Sequence, residues 1–301
     1  MRDGHAVVLP KRHDMAFLSD AASGILTPEE VGELIVRPIQ DESVAMRPEV
    51  ATVVNTASPT FRIPVVDEDA AAAWVPEGND IDLTDPTVTE EVVTPLKVAA
   101  LVKVSSELAE DSSPEATEVV RASLARSVAR KIDAAFFGNT VTNGPSGLLS
   151  LNDTQTVSAG STLTNLDWAI AAKTALRKVG STATSFVANA DTVASIESLK
   201  TEANSNQPLL ASTVGDATRA PGETVLGVPL VAVADGTSVA DGLIWALDKA
   251  KVFVVLRRDV TLDVSSDYFF NSDSLAVRVT CRVGFGFPHH QAIARIGIGG
   301  S

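Results

Sequence analysis

Thr60–Phe137 reads TFRIPVVDEDAAAAWVPEGNDIDLTDPTVTEEVVTPLKVAALVKVSSELAEDSSPEATEVVRASLARSVARKIDAAFF, and this stretch decides the fold. It divides into an extended hairpin and one long helix. The hairpin tip, Asp67–Glu91, carries nine carboxylates and no Lys, Arg or His. Among them lie the Ala70–Ala73 run, Trp74, Val75, Ile81 and Leu83, with no periodic pattern to bury them locally. A two-stranded hairpin is marginal in water on its own, so one that is acidic at its tip and apolar beside it calls for a partner surface. The helix Pro114–Phe137 offers Arg121, Arg126, Arg130 and Lys131 beyond its first turn. The expectation is that the hairpin of one copy lies on the helix region of another. Trp74 would be the apolar anchor, and Asp80 and Asp82 would face Arg126, Arg130 and Lys131. The alternatives are that the tip is a solvated loop, or that the bases face carboxylates of their own chain.

Both arms of the stretch carry their own period. From Leu96 the even residues Leu96, Val98, Ala100, Val102 and Val104 are apolar, while Lys97 and Lys103 are odd. Period two of this quality predicts a half-buried strand. Ser105-Ser106 open a short helical turn, and Ser113 stands as N-cap of the long helix, with Pro114 at its first position. Glu115 and Glu118 favour its positive end, and Gly138 is its stop. The helix spans about 36 Å at 1.5 Å per residue. Its apolar positions step by four: Ala116, Val120, Leu124, Val128, Ile132, Phe136. Four residues advance about 400°, so the stripe drifts roughly 200° over five steps. Different layers must therefore cover its two ends.

Outward from this centre, residues 1–24 read as a flexible arm with a basic cluster, Lys11, Arg12 and His13. Thr27–Glu30 (TPEE) is a capping box that starts a short helix ending near Ile35. Ser43–Asn55 reads as a strand, and Pro59–Val66 as a strand confined to an edge by Pro64. Beyond the turn GNTVTNGPSG, helices are expected at Asn165–Val179 and Asp191–Glu202. Strands are expected at Ser185–Ala188, Val225–Ala234, Leu243–Leu247, Lys251–Leu256, Val260–Val264, Leu275–Phe287 and Ala292–Ile298, with a polar loop over 203–223. In Leu275–Phe287 every odd residue is apolar, while Arg278, Thr280 and Arg282 face the other way. The class is α+β, without internal repeats.

Composition narrows the function. The 301 residues are 45% apolar, enough for a sizeable core, and carry a net charge of −14. An acidic surface repels nucleic-acid backbones and argues against a dedicated DNA binder. One cysteine, Cys281, excludes an intrachain disulfide framework. The N-terminus lacks an apolar segment of secretory length, and no apolar run approaches a membrane span.

Catalytic patterns fail on spacing. Asn143–Gly147 (NGPSG) is followed by Leu148 and does not make a G-x-S-x-G elbow. Gly284-Phe285-Gly286 is a lone G-x-G inside a strand, without the helix a dinucleotide site needs. His289-His290 have no Cys or carboxylate at ligand spacing and read as turn histidines. Asp259, Asp263 and Asp267 recur every four residues in strand-like sequence, which suits a solvated edge better than a cation site. Cys281, on the apolar face of its strand, reads as an inert core residue. No catalytic residue, metal ligand or cofactor is expected, and an enzyme is the weakest of the functional readings.

Read in order, these pieces resemble the tailed-phage major capsid protein family, which has the Hong Kong 97-like fold. The resemblance runs through Ile39–Arg47 (IQDESVAMR), Ala73–Gly78 (AWVPEG), Thr94–Asp111 (TPLKVAALVKVSSELAED), the long helix, Phe136–Leu149 (FFGNTVTNGPSGLL), Val187–Lys200 (VANADTVASIESLK) and Val225–Ala234. It implies an N-terminal arm (1–48), an extended loop with its base strands (49–104) and a peripheral domain on the spine helix (105–149). An axial domain (150–256), further peripheral strands (257–287) and a C-terminal strand returning to the axial domain (288–301) would follow. Such subunits form hexamers and pentamers of an icosahedral shell around double-stranded DNA, held without sequence-specific binding. The implied partners are the chain itself, a portal, a separate scaffolding protein and a decoration protein, with no membrane. The implied place is the virion capsid, assembled in the host cytoplasm. Only about 25 residues precede the first matched element, so a fused scaffold is not expected. Some relatives weld subunits through a hairpin lysine; between Arg62 and Lys97 there is none, so that chemistry is not expected either. The alternative within the same fold is an encapsulin-like compartment shell.

Overall fold

The computed structural model describes residues 37–68, 71, 72, 74–76, 78, 80, 85–105, 114–202, 205–210, 224–234 and 236–299. In chain order these form α1 (Arg37–Glu42), β1 (Thr52–Thr56), β2 (Phe61–Glu68), β3 (Thr87–Val93), β4 (Leu96–Ser105) and α2 (Pro114–Phe137). There follow β5 (Gln155–Ser158), α3 (Asp167–Lys178), β6 (Ser185–Asn189), α4 (Ala190–Glu197), β7 (Thr224–Val225) and β8 (Val228–Val233). The chain closes with β9 (Leu243–Leu247), β10 (Phe253–Phe269), β11 (Ser274–Gly286) and β12 (Ala294–Gly297). The expected TPEE helix, the turn after Ser105, the Ser113 cap and most of the 203–223 loop lie outside the described residues.

The strands make three sheets. One is four-stranded in the order β1-β10-β11-β4, one six-stranded in the order β5-β12-β9-β6-β8-β7, and β2-β3 pair alone. The four-stranded sheet shows why period two was legible. Val98, Ala100 and Val102 of β4 and Val279, Cys281 and Val283 of β11 share one cluster with Leu124, Val128, Ile132 and Phe136 of α2. The step of four along the helix is thus its buried stripe, and Phe136 meets Phe285 edge-on at 5.1 Å. Leu96 departs from the pattern and stays partly exposed. Burying side chains of this size contributes about 1.5–3 kcal/mol each, which fixes helix to sheet.

The six-stranded sheet is covered on both faces, so β6 and β9 are buried at every position. Phe186, Ala188, Ile244 and Ala246 pack with Trp168, Ala172 and Leu176 of α3 and Val193 and Ile196 of α4. The alternate residues Val187, Trp245 and Leu247 join the cluster that holds the long helix.

Several boundaries differ from expectation, each for a local reason. Ser43–Asn55 is not one strand: Val44–Met46 form a 3-10 turn and only Thr52–Thr56 is extended. Asp133 of α2 captures the backbone of this turn, as described below. Helix α4 begins at Ala190, where Asn189 Oδ1 accepts from Thr192 N at 2.7 Å, and ends at Glu197. Ser195 and Ser198 bond back to the carbonyls of Asp191 and Ser195 at 2.9 and 2.8 Å, a competition that weakens helix interiors. Asn165 lies outside α3 but ties its entry, accepting from Asp167 N at 3.2 Å. Val225–Ala234 is a tight hairpin turning at Leu226-Gly227, both at positive φ. Lys251–Leu256 and Val260–Val264 are parts of one 17-residue strand. Register shifts between Arg257 and Thr261 and between Ser265 and Phe269 absorb the irregularity without breaking it.

Candidate assembly interface

The hairpin β2–β3 pairs from Phe61↔Val93 to Glu68↔Thr87, with a bulge after Val66. Both its strands are edges, which is how Pro64 is accommodated. Alternation gives it two apolar faces. Ile63, Val65 and Val93 are buried, whereas Val66, Val88 and Val92 on the other face are 49%, 56% and 51% exposed. Arg62 and Glu90 bridge the strands at 2.9 Å on that exposed face.

The hairpin is joined to the body at its root. Ile63 and Val93 pack with Val255, Phe61 and Phe253 in a cluster separate from both larger cores. They sit on Gly284 and Gly286 of β11: a Cβ on Gly286 would lie 2.6 Å from Ile63 Cδ1, and one on Gly284 2.7 Å from Val93 Cγ1. The lone G-x-G is therefore a seat for the hairpin, made by omitting two side chains. Glu91 Oε1 accepts a hydrogen bond from Phe287 N at 2.9 Å, while its Oε2 is buried without a partner among the described residues.

At the tip, Trp74 is fully exposed (103%), and Asp80 is exposed. Asp82 lies outside the described residues. On α2, Arg126, Arg130 and Lys131 are exposed, behind the buried Leu124, Ala125, Val128 and Ala129. The two arginines are one turn apart and so share a face. No side chain of Trp74, Asp80, Arg126, Arg130 or Lys131 makes a hydrogen bond or ion pair with another described residue. The structure thus gathers the three bases on the solvent side of one helix and leaves Trp74 and Asp80 exposed.

The other sequence candidates resolve into structural roles. Asp263 pairs with Arg278 at 2.6 Å across β10 and β11. Among the described residues no group of three or more His, Cys, Asp or Glu could hold a metal ion. His290 Nδ1 lies 3.1 Å from the carbonyl oxygen of Asn152. Asn143–Gly147 is a turn that tucks under the helix end, and Leu149 N donates to Gly138 O at 3.0 Å. A Cβ on Gly147 would collide with the carbonyl oxygen of Ala135. Cys281 is buried, and burial pushes its thiol up to about 12. No described helix is long and apolar enough to cross a membrane.

Two residues that matter were not singled out in the sequence, Asp133 and Glu91. The signal for Asp133 was present: a carboxylate set between Ile132 and Phe136 on an apolar helix face. Glu91 carried none, being one acid among nine in the tip.

The fold is of the α+β class, with a hairpin whose strands pair only with each other and a long helix laid on a sheet. The model of the phage capsid family matches residues 23–297, and the chain belongs to that family. Among solved structures, the capsid of an empty GTA particle computed with C5 symmetry is similar at a TM-score of 0.66 and 21% identity. That match covers 84% of this chain and 89% of that one. A structure from Mycobacterium phage Bobi has a TM-score of 0.65 at 18% identity, covering 83% and 89% of the two chains. One from Microbacterium phage Oxtober96 has 0.65 at 17%, covering 85% and 91%. No curated protein matches the sequence.

Proposed function

We propose that the chain is the major capsid protein of a tailed phage or prophage, with the Hong Kong 97-like arrangement. It assembles into hexamers and pentamers of an icosahedral shell that encloses double-stranded DNA. The observation that carries the reading is the family match over nearly the whole chain. It is supported by a hairpin that buries one apolar face at its root and exposes the other with Trp74. In this reading residues 1–48 are the N-terminal arm and 49–104 the extended loop and its base. Residues 105–149 and 257–287 build the peripheral domain, and 150–256 with 288–301 the axial domain. The hairpin tip of one subunit docks on a neighbour, Trp74 supplying the anchor and Asp80 and Asp82 facing Arg126, Arg130 and Lys131. The net charge of −14 suits a wall that does not grip the DNA it holds. A portal, a separate scaffolding protein and a decoration protein are the further partners, and assembly takes place in the host cytoplasm.

Sedimentation of the purified chain at micromolar concentration, followed by cryo-electron microscopy, tests this. Capsomers or closed shells are expected. A 31.4 kDa species alone, across assembly conditions, sinks the proposal. Native particles filled with protein cargo and free of DNA would move it to the compartment shell.

A further inference from the structure

The four-stranded sheet is open on the side of β1. The order β1-β10-β11-β4 leaves β1 paired on one side only, in parallel with β10. Thr52 N donates to Val252 O at 2.9 Å, and in a parallel ladder every second residue turns its backbone groups to the partner. Thr52, Val54 and Thr56 therefore serve β10, while the N–H and C=O groups of Val53 and Asn55 face outward. An edge of this kind is a template for a further strand.

The space beside that edge is shaped and charged. A cleft of about 650 Å³ runs along β1, with Asp41, Arg47, Val53, Asn55 and Lys249 among its walls. The walls are held in place: Arg47 O accepts from Val50 N and Ala51 N at 2.9 and 3.1 Å, and Thr52 Oγ1 donates to Lys249 O at 2.7 Å. The side chains of Arg47 and Lys249 are exposed and make no hydrogen bond or ion pair with a described residue. In the cleft these two bases stand against one acid, Asp41, whereas the whole chain has a net charge of −14. The chain's own amino-terminal run His5–His13 (HAVVLPKRH) has the same sign as the cleft, with Lys11 and Arg12 and no carboxylate. Its acidic strand β3 is engaged elsewhere, with Glu90 on Arg62 and Glu91 on Phe287 N. The chemistry of the cleft thus suits an acidic segment from another protein.

We propose that β1 is a docking strand for an extended acidic segment of a different protein. The segment adds to the sheet edge through main-chain hydrogen bonds to Val53 and Asn55, and its carboxylates meet Arg47 and Lys249. In strand addition the main-chain bonds give affinity and the side chains give selection; here selection is by charge. The site belongs to one chain and stands whether or not that chain builds a shell.

The test uses the full-length chain, kept dilute and unassembled, with its amide signals followed by nuclear magnetic resonance. The probe is a synthetic peptide of alternating valine and glutamate with blocked ends. The amides of Val53 and Asn55 should exchange freely before the peptide is added and be protected after it. A peptide with lysine in place of glutamate should bind more weakly by about tenfold or more, and Arg47→Glu with Lys249→Glu should reverse that preference. Asn55→Pro removes one outward N–H and spares the ladder to β10, which an edge strand tolerates; it should abolish binding while the melting temperature holds. If Asn55→Pro unfolds the chain, the charge-reversed variant, changed only at exposed side chains, decides alone. Binding of neither peptide overturns the proposal, as does equal binding of both, which would leave the two bases as guards of a bare edge. Protection of both amides in the free chain would show that its own residues cover the edge, and protection that appears on assembly without peptide would assign the edge to a second copy; either overturns the foreign partner. Assembly itself is scored separately, so the two proposals fail independently.

Discussion

The hydroxyl of Ser43 donates to Asp133 Oδ1 at 2.6 Å, joining the entry segment to the C-terminal part of the long helix across 90 positions of sequence. The same carboxylate accepts from Val44 N and Ala45 N, each at 3.0 Å, and Asp133 is 4% exposed. It therefore caps a 3-10 turn that its own helix did not make. Asp133→Ala should leave three donors buried and unanswered, at a cost on the order of 3 kcal/mol. Denaturant unfolding of the unassembled subunit would read this as a lowered midpoint at constant slope. A shift below a few tenths of a kcal/mol would show that water replaces the carboxylate.

Of the three tryptophans, Trp168 and Trp245 are buried and Trp74 is fully exposed. Acrylamide should quench the Trp74 component strongly in the free subunit and weakly in assembled material. Trp74→Ala should abolish that component and weaken assembly, as loss of an aromatic anchor does at interface centres. Equal quenching before and after assembly would remove Trp74 from the interface.

The exposed bases of the long helix make a charge-reversal test. Individual exposed ion pairs contribute about 0–1 kcal/mol, so their effect rests on repetition at every contact and on steering. Arg126→Glu with Arg130→Glu should block assembly without unfolding the subunit. Asp80→Lys with Asp82→Lys should partly restore it. Normal assembly of the reversed helix, or no rescue, would show that the tip docks by apolar contact alone.

No lysine occurs from Ile63 to Leu96. Particles boiled in denaturant should therefore run as single chains. A ladder of multimers on the gel would reveal a bond-forming pair elsewhere.

Cys281 makes a prediction about alkaline pH. Burial raises its thiol from 9.0 to about 12, so between those values the unfolded chain has lost a proton that the folded one keeps. The associated stability is complete below about pH 9 and is lost as pH rises toward 12, at up to about 1.4 kcal/mol per pH unit. Cys281→Ala should flatten that part of the stability profile. A thiol reagent should react with the native chain only as fast as it unfolds.

How legible each element was depended on where its partners lie. The stripe Leu124, Val128, Ile132, Phe136 and the alternations of β4 and β11 could be read directly, because one face of each meets core and the other meets solvent. Period then equals burial. The same logic failed at Val44–Met46, where the strand read from Val50–Val54 was carried back to Ser43 but a carboxylate from α2 fixed a turn. It failed again in β10, where a charged interruption suggested two strands while β11 supplied a continuous ladder on which bulges could form.

By itself the sequence determined the α+β class, the length and face of the long helix, the acidic hairpin and its lack of lysine, since each follows from local period or composition. The tertiary structure alone decided that Gly284 and Gly286 are a seat, that Glu91 is tied to Phe287 and that Asp133 captures Ser43. These are contacts between residues far apart in sequence, where the meaning of a small or charged side chain is set by what approaches it.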